Sequence, residues 1–231
     1  MGRSLMTSEP MFDVVRHARA RRAKLSVDPA SGRIRLTLPP RASVRDALRW
    51  AEQQQGWIDA QRARLPQAVP FVPGTEIPFD DTILIIDWVE AAPRRVERIG
   101  DRLRVGGPAE RVPARVLAWL KREALRVLSD ETAEFAARAG VRVSGVGIGD
   151  ARGRWGSCAS HGMIRYSWRL ILAPRFVRRA TVAHEVAHRI HMNHGPAFQA
   201  LVGELDERDP AESRAWLRRN GAALHWFGRA S

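Results

Sequence analysis

Alternating apolar and polar positions define the first elements of the chain. Leu25 and Val27 alternate with polar neighbours, as do Ile34, Leu36 and Leu38, around the turn-forming stretch Asp28-Pro29-Ala30-Ser31-Gly32, and this predicts a β-hairpin. Ser43, followed three residues later by Asp46, predicts a capped helix running through Val44, Leu48 and Ala51 towards Trp57 and Ile58. Prolines at 66, 70, 73 and 78 then punctuate a connecting stretch. Beyond it, Thr82 to Val89 reads as a buried strand, and Val96 to Val105 as a hairpin turning at Gly100-Asp101.

A longer period follows. Val116, Leu120, Ala124, Leu128 and Phe135 recur at helical spacing between Pro113 and Ala139, with Gly140 where a C-terminal cap belongs. Val146 and Ile148 predict a strand, in which Gly145, Gly147 and Gly149 mark tight or bulged backbone rather than a phosphate loop, because no helix follows them directly. Ile164, Tyr166, Trp168 and Leu170 alternate with polar partners and predict another strand. A helix is expected from Pro174 to about Met192, a short one after Pro196, and a last one from Ala211 to Asn220, stopping at Gly221. The pattern describes an α+β chain, with a β-rich hairpin region over 1–109 and a second, helix-rich part over 110–231.

The chemistry sits on the helix after Pro174. His184-Glu185-Val186-Ala187-His188 has the H-E-x-x-H spacing, which puts two imidazoles on one helical face, within reach of one ion. Glu185 lies about 100° round the helix, where it can face a water on that ion. A catalytic zinc site takes three protein ligands and keeps one position for water, so a third ligand is required. His194, six residues past His188, has the spacing seen where a helix ends and the chain turns back to the metal; Asn193 and Gly195-Pro196 provide the bend. Glu204 or Glu207 would make a two-histidine, one-glutamate site instead. His191 shares the helical face, but at 1.5 Å rise per residue it stands about 10.5 Å from His184 along the axis.

A second patch, Arg154-Trp155-Gly156-Ser157-Cys158, precedes a turn at Ser160-His161-Gly162 and reads as one arm of a β-hairpin. An edge strand there could bind an extended peptide, with Arg154, Trp155, Arg165 or Tyr166 touching substrate or stabilising an oxyanion. Cys158 is the single cysteine of 231 residues, so no internal disulfide framework exists, which fits a cytoplasmic enzyme. Residues Met1 to Arg22 hold no apolar run of signal-peptide length, and no membrane partner is expected. The net charge of +13 raises nucleic acid as a partner, although Lys24 and Lys121 are the only lysines and the arginines are spread along the chain.

Taken together, the Arg154–Cys158 patch, the strand after Gly162, the His184–His188 motif and Met192-Asn193-His194 leading to Pro196 and Phe198 resemble the YgjP-like metallopeptidase family, a relative of the SprT-like and WLM zinc peptidases. The resemblance extends to the early hairpin with Trp57-Ile58 and to the Trp216-Leu217 helix. It implies a mini-zincin-like catalytic domain in which Glu185 is catalytic, His184, His188 and His194 bind one zinc ion, and the substrate is a peptide or protein. Gly195 stands where the family often has serine, and Tyr166-Ser167 where an asparagine-containing strand is common; both departures bear on substrate fit. Two other readings are metal-dependent hydrolysis of a nucleoside triphosphate to release pyrophosphate, and a nucleic-acid-binding module with a structural metal.

Overall fold

The computed structural model describes residues 12–206 and 208–230. Glu207, one of the alternative third ligands, and the leading part of the Met1–Arg22 stretch lie outside the described residues. The contacts divide the chain into two compact units, Met1–Pro66 and Gln67–Ser231.

In the first unit, β2 (Lys24–Val27) and β3 (Ile34–Leu38) form the antiparallel hairpin, and β1 (Phe12–Arg16) joins the other edge of β3 in parallel. The pattern did not mark β1, because four of its five positions are exposed and no alternation survives. Helix α1 (Val44–Glu52) starts where the cap predicts it, with Ser43 Oγ accepting from Asp46 N at 3.3 Å. It does not continue to Ile58. A tightened turn, in which Gln54 N donates to Ala51 O at 3.0 Å, separates it from α2 (Gln55–Arg62) and lets Ile58 join Leu36, Leu38 and Ala51 in a small core.

Among its described residues, the second unit holds two sheets and four α-helices around one continuous core that runs from Phe71 to Leu224. Strands β4 (Glu76–Phe79), β5 (Thr82–Val89), β6 (Glu97–Ile99) and β7 (Arg102–Gly106) are ordered β4-β5-β7-β6. Their side chains Ile77, Leu84, Ile86, Leu103 and Val105 share that core with the long helix α3 (Val112–Arg138). The contacts therefore group these strands with the helices that follow and not with the first hairpin, and the division falls at Pro66 and not after residue 109. The proline-rich stretch conceals β4, which tolerates Pro78 because it lies at the sheet edge. Asp80 and Asp81, both at positive φ (47° and 61°), make the two-residue turn into β5.

The second sheet is β8 (Gly145–Gly149), β10 (Met163–Ser167) and β9 (Gly156–Cys158), with β10 central. The expected strand through Leu170 ends early. Trp168–Leu172 is a 3-10 turn with every side chain buried, so the alternation there marks a fully enclosed turn. Arg169 ties this turn down by donating to Asp150 Oδ1 (2.7 Å) and to the carbonyls of Leu224 (2.7 Å) and Phe227 (3.1 Å). Helix α4 (Arg175–Ala187) is shorter than expected, with His188 as its C-cap, because the chain tightens into Arg189 N to Val186 O (2.8 Å) and Ile190 N to Ala187 O (3.1 Å) bonds. Helix α5 (Pro196–Leu205) follows a Gly195 N-cap. Helix α6 (Pro210–Leu224) runs through Gly221, whose missing side chain serves packing and not termination: a Cβ there would lie 2.8 Å from the Trp155 ring. Among the described residues no helix is long and apolar enough to cross a membrane.

Ten of the thirteen residues of α4 are buried, so its polar groups need partners. Arg178, 1% exposed, holds both carboxylate oxygens of Glu131 on α3 (2.9–3.1 Å) and Asp80 Oδ1 in the β4–β5 turn (2.6 Å). Asp81 of the same turn accepts from Arg175 N at 2.9 Å, meeting a free amide of the first turn of α4. Breaking a buried ion pair strands a charge, so Glu131→Gln should destabilise the second unit by about 3 kcal/mol. Urea unfolding measures this. An unchanged midpoint would mean that the bridge adds nothing to the placement of α4.

Candidate active site

The end of α4 and the turn after it bring three imidazoles together. His184 and His188 sit one turn apart, and the tightened turn carries the chain round so that His194 faces them. The ring centroids are 5.0 Å (184–188), 5.1 Å (184–194) and 4.7 Å (188–194) apart, and one nitrogen from each ring lies within 4.8 Å of the others. His184 and His194 face each other through Nε2 atoms 3.2 Å apart. The Nδ1 of His188 lies 3.0 Å from the carbonyl oxygen of His191, which can only accept; Nδ1 therefore carries the hydrogen, and Nε2 presents a lone pair to the cluster. Burial, followed by the charges of His188, His194 and Arg214, pushes the His184 pKa down to about 4, and burial lowers that of His188 as well. Neutral imidazole is the ligand form, and the donor set suits a borderline-soft divalent ion.

Phe198, on the first turn of α5 and 1% exposed, packs against all three rings, with centroids 4.9, 4.6 and 4.8 Å from His184, His188 and His194. It forms an apolar wall that fixes their orientation. The residue has a sequence signal, its i+4 spacing from His194, but that signal is weak because His194 lies outside the helix.

Glu185 is 5% exposed. Burial pushes its pKa up to about 7, while the nearby charge of Arg154 opposes the shift. The carboxyl group lies against β9 at Gly156, where an added Cβ would stand 2.7 Å from Glu185 Cδ. Glycine is required there by this close approach.

His184 and Glu185 open into a cavity of about 270 Å³ bounded by β9, α4, α5 and α6. Arg154 and Trp155 line it. Tyr166 does not: it is 2% exposed, and its hydroxyl lies 3.0 Å from Thr132 Oγ1 inside the core, so that hydroxyl is not available to a substrate. The His191 ring and the exposed Glu204 are not in the three-histidine group. Cys158 is half-buried, and burial pushes its thiol pKa up. The residues that motif reasoning missed here are Arg214 and Ser213 of α6, which line the same cavity. Nothing local distinguishes Arg214 from its many arginine neighbours.

A family model described as "YgjP-like, metallopeptidase domain" matches residues 21–220. Among solved structures, the metallopeptidase zymogen of Pyrococcus abyssi abylysin is similar, at 15% identity and a TM-score of 0.36, over 39% of this chain and 93% of that one. No curated protein matches.

The geometry sets an expectation for metal binding that equilibrium dialysis against zinc can check. Replacing His184, His188 or His194 by alanine should weaken binding more than about 100-fold, and Phe198→Ala by roughly tenfold or more through loss of ring alignment. His191→Ala should bind as wild type does, since only its backbone carbonyl is used. A strong effect at His191 would instead make that ring a ligand.

Proposed function

We propose that this chain, which belongs to the YgjP-like metallopeptidase family, hydrolyses peptide bonds with one zinc ion held by His184, His188 and His194 and with Glu185 as the general base for the attacking water. The observation that carries this reading is the convergence of three imidazoles beside one buried carboxylate. Three nitrogen donors, with no further cysteine, histidine or carboxylate in the group among the described residues, match the donor count of catalytic zinc rather than the four of structural sites. Bound zinc would supply Lewis acidity, lowering the pKa of a water it holds to roughly 7 and polarising the substrate carbonyl.

The residues of the chain supply the rest. Glu185 takes one proton from the water as the water oxygen bonds to the carbonyl carbon, and returns that proton to the nitrogen as the C–N bond breaks, so one water is consumed and an amine and a carboxylic acid, which keeps the second proton, are released. Gly156 lets the carboxyl approach β9, and β9, the edge strand of its sheet, offers main-chain groups along which an extended substrate can lie. Phe198 and the His191 carbonyl hold the imidazoles in place. The second unit, 67–231, thus carries the catalytic part.

The test pairs a zinc assay with cleavage of an unfolded protein. Glu185→Gln should keep its zinc and lose about 10²–10⁴ in turnover. Gly156→Ala, which displaces the carboxyl by about an ångström, should lose on the order of 10² with zinc retained. A chelator should abolish cleavage and added zinc restore it. Full turnover by Glu185→Gln would overturn the role given to that residue.

A further inference from the structure

We propose that the cavity beside His184 and Glu185 receives a carboxylate of the substrate, held by Arg154 and Arg214, so that the preferred peptides are acidic next to the scissile bond. This rests on the peptidase reading above and adds the substrate class to it.

Three observations lead there. First, both hydroxyls of the cavity wall are already occupied. Ser213 Oγ donates to Pro210 O at 3.0 Å, and Thr181 Oγ1 donates to Val177 O at 2.9 Å. Second, Arg154, on the loop entering β9, and Arg214, on α6, form no ion pair with any carboxylate of the described residues, whereas Arg169, Arg178 and Arg179 of the same unit each hold at least one. Third, the remaining walls are apolar, formed by Trp155, Ala180, Val202, Pro210 and Leu217. Such walls suit the methylenes of a short acidic side chain whose head reaches the guanidinium groups.

Sign and size agree. Glu185 is the one carboxylate in the lining among the described residues, and two arginine charges outweigh it, so a second carboxylate enters a net positive cavity. A volume of about 270 Å³ lies below the ~300–1,000 Å³ of sites built for larger ligands, and so suits a side chain better than a nucleotide. The carboxylate could belong to an aspartate or glutamate side chain or to the end of a peptide chain.

Zinc-loaded full-length protein, with paired fluorogenic peptides that differ only in Glu, Gln or Lys beside the cleaved bond, tests this. A third set compares free with amidated C-termini. The expected result is a kcat/KM ratio of Glu over Gln of about tenfold or more, the size of a charge-assisted hydrogen bond. That ratio should fall towards one in Arg154→Ala and Arg214→Ala, persist in Arg214→Lys, and move in favour of Lys in Arg214→Glu. A free-over-amidated preference with the same arginine dependence would support the proposal and assign the carboxylate to the chain end. Peptides cleaved with no acidic preference, or with one that both alanine variants retain, would overturn the proposal and leave the peptidase reading standing. Uncleaved peptides together with pyrophosphate release from nucleoside triphosphates, abolished by Glu185→Gln, would overturn both.

Discussion

Burial of α4 is the constraint on which the rest of the second unit depends. An unmatched polar group inside a protein costs several kcal/mol, and α4 carries two arginines, a threonine and a glutamate into an enclosed position. Its first half resolves this internally. Arg178 finds Glu131 and Asp80, Arg179 finds Glu134, and Thr181 bonds back to Val177 O. These bonds set where α4 lies along α3 and against the β4–β5 turn. The second half finds no such partners within the helix. His184 and Glu185 are held where water and a ligand can reach them, and that contrast between a satisfied half and an open half makes the C-terminal end of α4 a site.

Past Ala187 the helical ladder is exchanged for tight turns, and the exchange has a geometric purpose. Had the helix continued to Met192, His191 would have lain one turn beyond His188 along the axis, too far for three rings to meet. Ending it early swings His194 back over His184. Phe198 then fills the space behind all three rings, so that the polar face of the cluster rests on an apolar wall. Gly156 plays the matching role for Glu185, its absent side chain leaving room for the carboxyl. Orientation in this site thus comes from one aromatic ring, one glycine and one backbone carbonyl, none of which is a ligand or a base.

What could be read from the chain beforehand follows the same physics. The α3 periodicity, the Leu25–Leu38 hairpin and the H-E-x-x-H spacing were legible because each is a local pattern with one buried face or one fixed offset. Strand β1 was not, since an exposed edge leaves no alternation, and β4 was concealed by the prolines that edges tolerate. Trp168–Leu172 imitated a strand because all of its residues are buried, which removes the contrast that separates periods. Gly221 read as a stop, although its role is to make room for the Trp155 ring, a contact with a residue 66 positions away. The division at Pro66 likewise depends on which strands share a core with α3, and that is a long-range fact.

The positive charge illustrates why composition alone misleads about partners. A net +13 invites a polyanion, yet many arginines have internal tasks. Arg169 pins the C-terminal end to Asp150, and burial, which works against ionisation of that carboxyl, is outweighed by the guanidinium, so its pKa stays below the ordinary value. Arg189 donates to the carbonyls of Arg142 and Ser160 at 3.1 Å, joining the start of β8 and the β9–β10 turn to the end of α4. Arg16 gathers three carbonyls between β3 and α1. Guanidinium is suited to this work because five donors in a rigid plane satisfy several oxygens at once and remain charged at any physiological pH. Arginines used as donors to the chain's own carbonyls add to the net charge and identify no ligand. The informative ones are those that combine a wall position in the cavity beside the imidazole cluster with the absence of an internal carboxylate, as Arg154 and Arg214 do. Charge points to a partner through the donors that the fold has left unused.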